Sequence, residues 1–382
     1  MDSLKFFAFL GLIFSLISCN SHQMNMELPD REQRVTDYIK RLTASELVGI
    51  QYLVVDREKT LINYAGGLAD VAAQTPMRQD TLMQTASMSK TLTAVAILQL
   101  AENGQLKIDD SVSTYFKDHP YGDQITIRQL IAHTAGVPNP IPTRWLHSRD
   151  SHPNYDKDKV LQAVLKENAK LDSKPGKKYN YSNIGYWLLG RVVENASGER
   201  FQDYMRKNIF EPLAMEKESL YEMASHQNTA KGYLAKYHIF NLIKGWITED
   251  YMWSGYEGSW LAASDLYQDG EGLGGLITTA SSIGLFLKDQ LQERSQIINK
   301  ETKAFLYQQQ TNTQGEMVLM TLGWHVGDAD GIEYFFKEGM GAGFHCEMRV
   351  YPSQGIASVV IVNRMMFKTK KNLDVMDREF YQ

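Results

Sequence analysis

Hydrophobic and polar residues follow different patterns in different parts of the chain. Residues 31–46 place apolar side chains three and four positions apart, which predicts a helix. Two β-rich runs follow at 48–55 and 60–64, and the four polar residues between them predict a hairpin. A polar, helical tail is expected at the carboxyl end, after three further apolar runs that predict strands at 331–336, 344–351 and 356–363.

The middle of the chain has helical patterning. Apolar residues recur at helical intervals from 89 to 103, and Gly104 supplies a C-terminal stop. Residues 105–270 are rich in loops and contain helical patches at 159–168 and 184–195. Strands at both ends around such a middle predict an α+β fold. We expect one antiparallel sheet built from both chain ends and flanked by helices, with a mostly helical inserted subdomain at about 105–270.

The first eighteen residues resemble an export signal. Lys5 precedes an apolar stretch at 6–17 that is too short to span a bilayer. The segment ends in Leu-Ile-Ser before Cys19, which resembles the lipobox of bacterial lipoproteins. This resemblance implies removal of residues 1–18, lipidation of Cys19, and an exported protein anchored to the cell membrane or the outer membrane; ordinary signal cleavage with an incidental cysteine is the alternative. Residues 19–30 are expected to be a polar tether.

The composition is that of a globular protein with a sizeable core. Of the 382 residues, 43% are hydrophobic and 22% are charged, and no repeat or long linker divides residues 31–382, so one domain is expected. A net charge of −5 without a basic stripe argues against nucleic acid as a partner. The two cysteines, Cys19 and Cys346, do not make a disulfide framework, and Cys346 is expected to be a lone thiol.

A candidate nucleophile lies at the start of the helix predicted at 89–103. Ser87 and Lys90 form a Ser-x-x-Lys pattern, and a spacing of three places both side chains on one helical face. A serine hydroxyl needs a group that accepts its proton, and a lysine can serve when burial or a nearby cation keeps it neutral. The helix N-terminus would also help to bind developing negative charge. The pattern occurs about once by chance in a chain of this length, so alone it does not identify an enzyme.

Further motifs follow in a definite order. Tyr181 begins a Tyr-Ser-Asn motif, and Lys337 begins a Lys-Glu-Gly motif on a predicted terminal strand. Together with Ser-x-x-Lys, this order resembles the serine β-lactamase and penicillin-binding protein superfamily, in its class C-like branch. The resemblance covers roughly residues 30–365 and implies a β-lactamase/transpeptidase-like fold. Other stretches that resemble the same branch are 67–70, 125–137, 272–276 and Asn363.

The resemblance implies a catalytic role for three residues. Ser87 would be the acylated nucleophile, and Lys90 its neighbouring base or proton relay. Tyr181 would move protons to the leaving atom and later activate water. Lys337 would lie beside them, and two nearby ammonium groups are expected to lower the pKa of the phenol from its usual value near 10. Whether lysine or tyrosine is the principal base stays open.

The same resemblance implies a substrate-binding set. Asn183 and Lys337 would orient the substrate beside Gly339, and backbone N–H groups of the nucleophile and of Met340 would form an oxyanion hole. Glu338 departs from the family pattern, in which Thr or Ser meets the carboxylate of the substrate. Repulsion between carboxylates would disfavour β-lactams and D-Ala-D-Ala peptides and favour neutral or amine-bearing esters and amides, unless Glu338 turns away or pairs with a cation.

Two functions remain open on the sequence. The first is a serine hydrolase that acts through an acyl-enzyme on an ester, amide or peptide-like small molecule. The second is a slow-acylating penicillin-binding or sensor-type module with little turnover. The oligomeric state is not predicted.

Other chemistry has little support in the sequence. There is no Gly-x-Ser-x-Gly pattern, so the nucleophile elbow of an α/β-hydrolase is not supported. There is also no His-Glu-x-x-His or Cys-x-x-Cys pattern, so no metal is expected, and no other cofactor is expected either. His133 is expected to stabilise a turn. Trp246, Trp253 and Trp260 are expected either to line a cleft or to pack in the core.

Overall fold

Helices and strands are present along the whole described chain. The structure, a computed structural model, describes residues 30–141, 145–215, 217–221 and 228–381, and the predicted leader, Cys19 and nearly all of the predicted tether lie outside these residues. The described strands are β1 (Gly49–Asp56), β2 (Thr60–Asp70), β3 (Thr75–Pro76), β4 (Met83–Gln84), β5 (Leu146–Ser148), β6 (Tyr233–Ala235), β7 (Trp253–Glu257), β8 (Trp260–Ala263), β9 (Leu266–Gln268), β10 (Ile277–Thr278), β11 (His325–Ala329), β12 (Ile332–Gly341), β13 (Phe344–Tyr351) and β14 (Ile356–Val362). The described α-helices are α1 (Arg31–Ser45), α2 (Lys90–Glu102), α3 (Ile127–Ile131), α4 (Lys157–Glu167), α5 (Asn183–Ser197), α6 (Phe201–Met205), α7 (Ile239–Ile247), α8 (Ala280–Leu291), α9 (Lys300–Leu306) and α10 (Thr369–Asp377).

A seven-stranded antiparallel sheet combines the two ends of the chain. Its strand order is β11-β12-β13-β14-β1-β2-β3, and Tyr52 of β1 lies opposite Val360 of β14. Strands β1, β13 and β14 are buried along almost their full length, because helices cover both faces of the sheet. The predicted α+β fold, with a sheet made from both chain ends, is confirmed.

The two faces of the sheet have different helical covers. On one face, Ile39 of α1 and Leu373 of α10 pack in a cluster with Tyr52. On the other face, Leu53 packs in a larger cluster with residues of α2 and α8. The neighbouring residues Tyr52 and Leu53 therefore pack on opposite faces of the sheet, as the alternation of side chains along a strand requires. The face that packs on α2 is the one that meets the Ser-x-x-Lys segment.

The middle of the chain is less uniformly helical than its pattern predicts. Helices α4 and α5 match the predicted patches at 159–168 and 184–195. The same region also forms two small antiparallel sheets, β5-β9 and β6-β8-β7. These strands are three to five residues long, which is too short to establish an alternating pattern in the sequence.

The predicted terminal strands are confirmed, and two of them continue beyond their predicted bounds. Strand β2 continues to Asp70, and β12 continues to Gly341, so the Lys-Glu-Gly motif lies inside a strand. The predicted tail helix is α10. Strand β11 was not predicted, since its sequence His-Val-Gly-Asp-Ala lacks the β-branched and aromatic runs typical of strands.

Candidate active site

Ser87 lies in a tight turn immediately before α2. The residues Ala86–Ser89 form a 3₁₀ turn, and the α-helix itself begins at Lys90, so Ser87 precedes the helix on which it was predicted. Ala86 has a φ of 42°, in the left-handed region where a residue with a side chain is strained. Thr85 anchors the turn through its hydroxyl, which donates to a backbone carbonyl at 2.9 Å.

Lys90 is fully buried and meets three oxygen atoms. Its Nζ lies 2.8 Å from Ser87 Oγ, 2.8 Å from Asn183 Oδ1 and 2.5 Å from the carbonyl oxygen of Leu273. Burial lowers the pKa of Lys90 well below its usual range, and the charge of Lys337 lowers it further. A neutral amine suits these contacts, because its two N–H bonds can donate to the two amide-type oxygens while its lone pair accepts the hydroxyl proton of the serine.

Tyr181 makes a second contact with Ser87. Its hydroxyl donates to Ser87 Oγ at 2.8 Å, and its ring packs 4.3 Å from the ring of His133. Loss of solvent around the half-buried phenol raises the pKa of Tyr181, and this effect outweighs the lowering by the hydrogen bond to Ser87. This pKa shift is opposite in direction to the one expected from the sequence. Burial lowers the pKa of both lysines, so neither carries the full positive charge that would lower the pKa of the phenol. Tyr181 is therefore a proton donor in the resting site.

A turn at His133 holds the segment that carries Tyr181. His133 has a φ of 54°, its Nδ1 accepts the N–H of Ser182 at 3.1 Å, and its carbonyl accepts the N–H of Asn180 at 2.6 Å. Ser182 caps α5, since its hydroxyl accepts a backbone N–H from the first turn of that helix. Tyr181 and Asn183 thus flank a fixed helix start, and His133 has the turn-stabilising position that the sequence predicts.

Strand β12 brings Lys337 and Gly339 to the turn that contains Ser87. Lys337 is buried, its Nζ lies 5.6 Å from the centre of the Tyr181 ring, and it has no hydrogen-bond partner within the described residues. Burial lowers the pKa of Lys337 to about 7. Gly339 packs so closely that a Cβ there would lie 2.2 Å from the Thr85 carbonyl oxygen and 2.7 Å from the Met88 nitrogen. Any side chain at 339 would push β12 away from the turn.

Glu338 lies on the face of β12 opposite to Lys337, because successive strand residues alternate. Its carboxylate lies 2.6 Å from His345 Nε2, and this contact lowers the pKa of Glu338. The carboxylate therefore contacts His345 rather than the nucleophile, which is the turned-away arrangement that the sequence left open. Met340, the next residue on that face, is 43% exposed and lines the cavity beside Ser87.

That cavity has a volume of about 80 Å³ and contains wall residues that the sequence did not indicate. Trp145 and Leu146 form part of the wall, and Gln268 forms another part. The pairing of β5 with β9 brings them together, with Leu146 opposite Gln268. No motif marks these positions in the sequence. The one local feature that could have indicated them is the adjacent Trp and Leu within a polar stretch.

Several other properties concern the described part of the chain as a whole. Over residues 30–381, apart from the gaps given above, no group of three or more His, Cys, Asp or Glu side chains is arranged to hold a metal ion. Over the same residues, no helix is both long enough and apolar enough to cross a membrane. Cys346 is a buried thiol outside any disulfide.

Comparison with known proteins identifies relatives by sequence. The chain is 27% identical over 271 residues to penicillin-binding protein 4* of Bacillus subtilis (strain 168), which covers 69% of this chain and 56% of that protein. It is 31% identical over 192 residues to protein flp of Staphylococcus aureus (strain MW2), which covers 49% of this chain and 38% of that protein. The chain thus spans between about two fifths and just over half of the length of these relatives.

Solved structures share the fold at lower identity. The D-amino acid amidase from Ochrobactrum anthropi SV3, complexed with L-phenylalanine amide, matches with a TM-score of 0.77 at 19% identity, over 92% of this chain and 98% of that one. The octameric penicillin-binding protein homologue from Pyrococcus abyssi matches with a TM-score of 0.74 at 20% identity, over 91% of this chain and 76% of that one. The family model for Beta-lactamase matches residues 35–377, which is most of the chain, and this protein therefore belongs to the beta-lactamase family.

Proposed function

We propose that this protein is a serine hydrolase that forms an acyl-enzyme on Ser87. The observation that carries the proposal is the convergence of two proton-transfer groups on one oxygen atom. Lys90 Nζ and Tyr181 Oη each lie 2.8 Å from Ser87 Oγ. Membership of the beta-lactamase family supports hydrolase chemistry of the acyl-transfer type.

In the acylation step, the neutral amine of Lys90 accepts the proton of Ser87 as Oγ bonds to the carbonyl carbon of the substrate. The oxygens of Asn183 and Leu273 that contact Lys90 then stabilise its ammonium form. Tyr181 donates its proton to the leaving nitrogen or oxygen, and the ammonium of Lys90 restores that proton. The leaving group thus departs with the proton of Tyr181, and the proton that Ser87 originally carried replaces it on the phenol.

In the deacylation step, water attacks the ester carbonyl and Ser87 regains a proton. Tyr181 first passes its proton to the neutral amine of Lys90 and then, as a transient phenolate, accepts the proton of the water. The ammonium of Lys90 returns a proton to Ser87 Oγ as the acyl group leaves. Lys337, whose pKa lies at about 7, is partly charged at neutral pH and supplies positive potential 5.6 Å from that ring. Lys337 therefore stabilises the transient phenolate more than the resting phenol.

The cavity supports a substrate with a compact acyl group. Its volume is about 80 Å³, and Trp145 and Leu146 give it an apolar wall beside the amide of Gln268. Amide and ester bonds of small acyl groups, D-amino acid amides among them, are the proposed substrates, in line with the name of the amidase of similar fold. The names of the penicillin-binding relatives favour a second candidate, a module that acylates and turns over slowly.

A labelling and turnover experiment tests both candidates. The purified full chain is treated with a fluorophosphonate probe and with a panel of p-nitrophenyl esters, D-amino acid p-nitroanilides and nitrocefin. Wild type should be labelled once per chain and should show sustained turnover, whereas Ser87→Ala should lose both. Ser89→Ala is the matched control, because this neighbouring hydroxyl donates to the Ala86 carbonyl at 2.8 Å.

Each outcome of that experiment decides between the candidates. A stoichiometric burst without further turnover would favour the slow-acylating module. Labelling of Ser87→Ala at the wild-type level would overturn the assignment of the nucleophile.

A further inference from the structure

Helix α7 carries an apolar face that is open to solvent. We define the α7 face as Tyr237, Ile239, Ile243 and Trp246, whose exposed fractions are 89%, 72%, 41% and 93%. The last three are spaced by four and three residues, so they form one stripe along the helix. The tryptophan matches neither alternative expected from the sequence, since it lies neither in the core nor at the active-site cavity.

Another side of α7, next to this face, already has packing partners. Phe240 packs against a cluster that contains Leu234, Leu261 and Met365. A surface helix with one buried apolar side normally presents polar residues to water on the other. Single exposed apolar residues are common on proteins, whereas a continuous aromatic and aliphatic stripe marks an interaction surface.

Cations and aromatic rings lie on and beside α7. Lys236 Nζ lies 5.5 Å from the centre of the Tyr256 ring, and Tyr256 is itself 51% exposed. Lys244 Nζ lies 5.8 Å from the centre of the Trp253 ring. Tryptophan and tyrosine with flanking lysines are typical of surfaces that enter the headgroup region of a bilayer. The nine residues of α7 extend for about 14 Å, which fits a helix lying in that interface rather than crossing it.

We propose that the α7 face binds the surface of a lipid bilayer. The predicted lipidation of Cys19 favours a membrane over another occupant. The ten residues between Cys19 and Asp30 can extend for about 35 Å, so the folded domain would stay within reach of the bilayer that holds the lipid. The face would then fix the orientation of a domain that a flexible tether alone leaves free to rotate.

Contacts within the domain connect the α7 region to the helix that follows the tether. Arg364 donates to the carbonyl of Glu46, which caps the end of α1. The same guanidinium lies 5.6 Å from the ring centre of Trp260, in the small sheet against which α7 packs. The end of α1 and the α7 region therefore belong to one packed unit. This inference is independent of the proposed hydrolase reaction.

Quenching of tryptophan fluorescence by brominated lipid tests the proposal. All six tryptophans lie beyond residue 144, so the signal reports the folded domain and not the predicted leader. The full chain is incorporated into vesicles of phosphatidylcholine and phosphatidylglycerol, with and without bromine on the acyl chains. Wild type should be quenched, and Trp246→Phe should lose at least about two thirds of that quenching. Trp324→Phe is the control, because Trp324 is fully buried in the core, and it should keep most of the quenching.

A second variant separates membrane binding from folding. Ile239→Asn with Ile243→Asn keeps Trp246 as the reporter and should reduce its quenching at least threefold, while the thermal midpoint and ester hydrolysis stay at wild-type values. Equal quenching of wild type and Trp246→Phe would overturn the proposal. A dimer in sedimentation experiments without vesicles that the double variant dissociates would also overturn it, in favour of a second copy of this chain.

Discussion

Lys337 Nζ lies 5.6 Å from the centre of the Tyr181 ring, and the lysine is completely buried. This pair sets the electrostatics of the candidate site. Removal from water lowers the pKa of the amine to about 7 and raises the pKa of the phenol, so both groups favour their neutral forms. At neutral pH Lys337 is therefore only partly charged and Tyr181 stays a phenol that can donate its proton.

Replacing Lys337 by methionine should increase the stability of the protein at low and neutral pH. The pKa of the lysine is about 7 when folded and near 10.4 when unfolded, so the unfolded chain binds more protons between these values. The cost of burying the charge is therefore complete below about pH 7 and disappears as the pH rises to about 10.4. Lys337→Met should gain on the order of 3 kcal/mol at pH 6 and little at pH 10, measured by urea unfolding.

The exposed Lys371 offers a matched control for that comparison. Lys371→Met should leave the free energy of unfolding within about 0.5 kcal/mol of wild type at each pH. A gain for Lys337→Met that did not change between pH 6 and pH 10 would contradict the linkage.

Replacing Lys90 by methionine should slow acylation by at least about 10²-fold, because the hydroxyl of Ser87 then lacks its proton acceptor at 2.8 Å. The lowered pKa of Lys90 also predicts that the wild-type acylation rate falls as the pH drops through that value and the amine becomes charged. Stopped-flow measurement of the burst phase from pH 5 to 9 checks both expectations. A Lys90→Met burst as fast as that of wild type would remove the lysine as the base.

Replacing Tyr181 by phenylalanine should affect the later steps more than the first. Loss of the hydroxyl 2.8 Å from Ser87 Oγ removes the proposed donor to the leaving group and acceptor from water, so we expect kcat to fall about 10²- to 10³-fold. Because the pKa of Tyr181 is raised, the wild-type rate should show no limb from this phenol below pH 10. Mass spectrometry should detect accumulated acyl-enzyme in the variant and not in wild type.

Replacing Gly339 by alanine should separate the strand from the nucleophile turn. A Cβ at this position would lie 2.2 Å from the Thr85 carbonyl oxygen. Because that oxygen is a backbone atom, the clash can be relieved only if the strand or the turn moves. We expect a loss of about 1–3 kcal/mol in the free energy of unfolding, with a fall in fluorophosphonate labelling. Gly341→Ala is the control for stability, because a Cβ there would meet its nearest atom at an ordinary 3.8 Å. Equal stability of the two variants would show that the close approach is unimportant.

Replacing Glu338 by threonine should change substrate preference only modestly. The carboxylate contacts His345 at 2.6 Å on the face opposite to Lys337, so it is not aimed at the nucleophile. We expect the ratio of kcat/KM for nitrocefin, which carries a carboxylate, to that for a neutral ester to change by less than about tenfold, or 1.4 kcal/mol. A larger change would restore the repulsion argument made from the sequence.

The sequence predicts the candidate site residues better than it predicts their surroundings. Motif order was sufficient to place Ser87, Lys90 and Tyr181 in one site, and the structure brings them together. It did not predict the direction of the pKa shift at Tyr181, because desolvation depends on the whole fold and not on the two nearest charges. Face alternation on β12 would have indicated that Glu338 and Lys337 diverge, once the strand was extended through the motif.

The cavity wall was beyond prediction for a different reason. Leu146 and Gln268 are far apart in the chain and meet only through a three-residue strand pair. Tertiary pairing of such short segments leaves almost no local pattern. The same holds for the exposed face of α7, whose apolar stripe resembles that of a core helix in sequence and is distinguished only by its surroundings.

The sheet built from both chain ends has a consequence for how the protein reaches its active form. Ser87 precedes α2, whereas Lys337 and Gly339 belong to β12, which must pair with β13 and, through it and β14, with β1. A ribosome must therefore complete nearly the entire polypeptide before these groups can meet. Such long-range pairing folds slowly, so the nascent chain would stay unfolded until its last strands have been made. Fragments of interrupted translation would lack a catalytic site altogether, so hydrolysis would begin only once the last strands had docked.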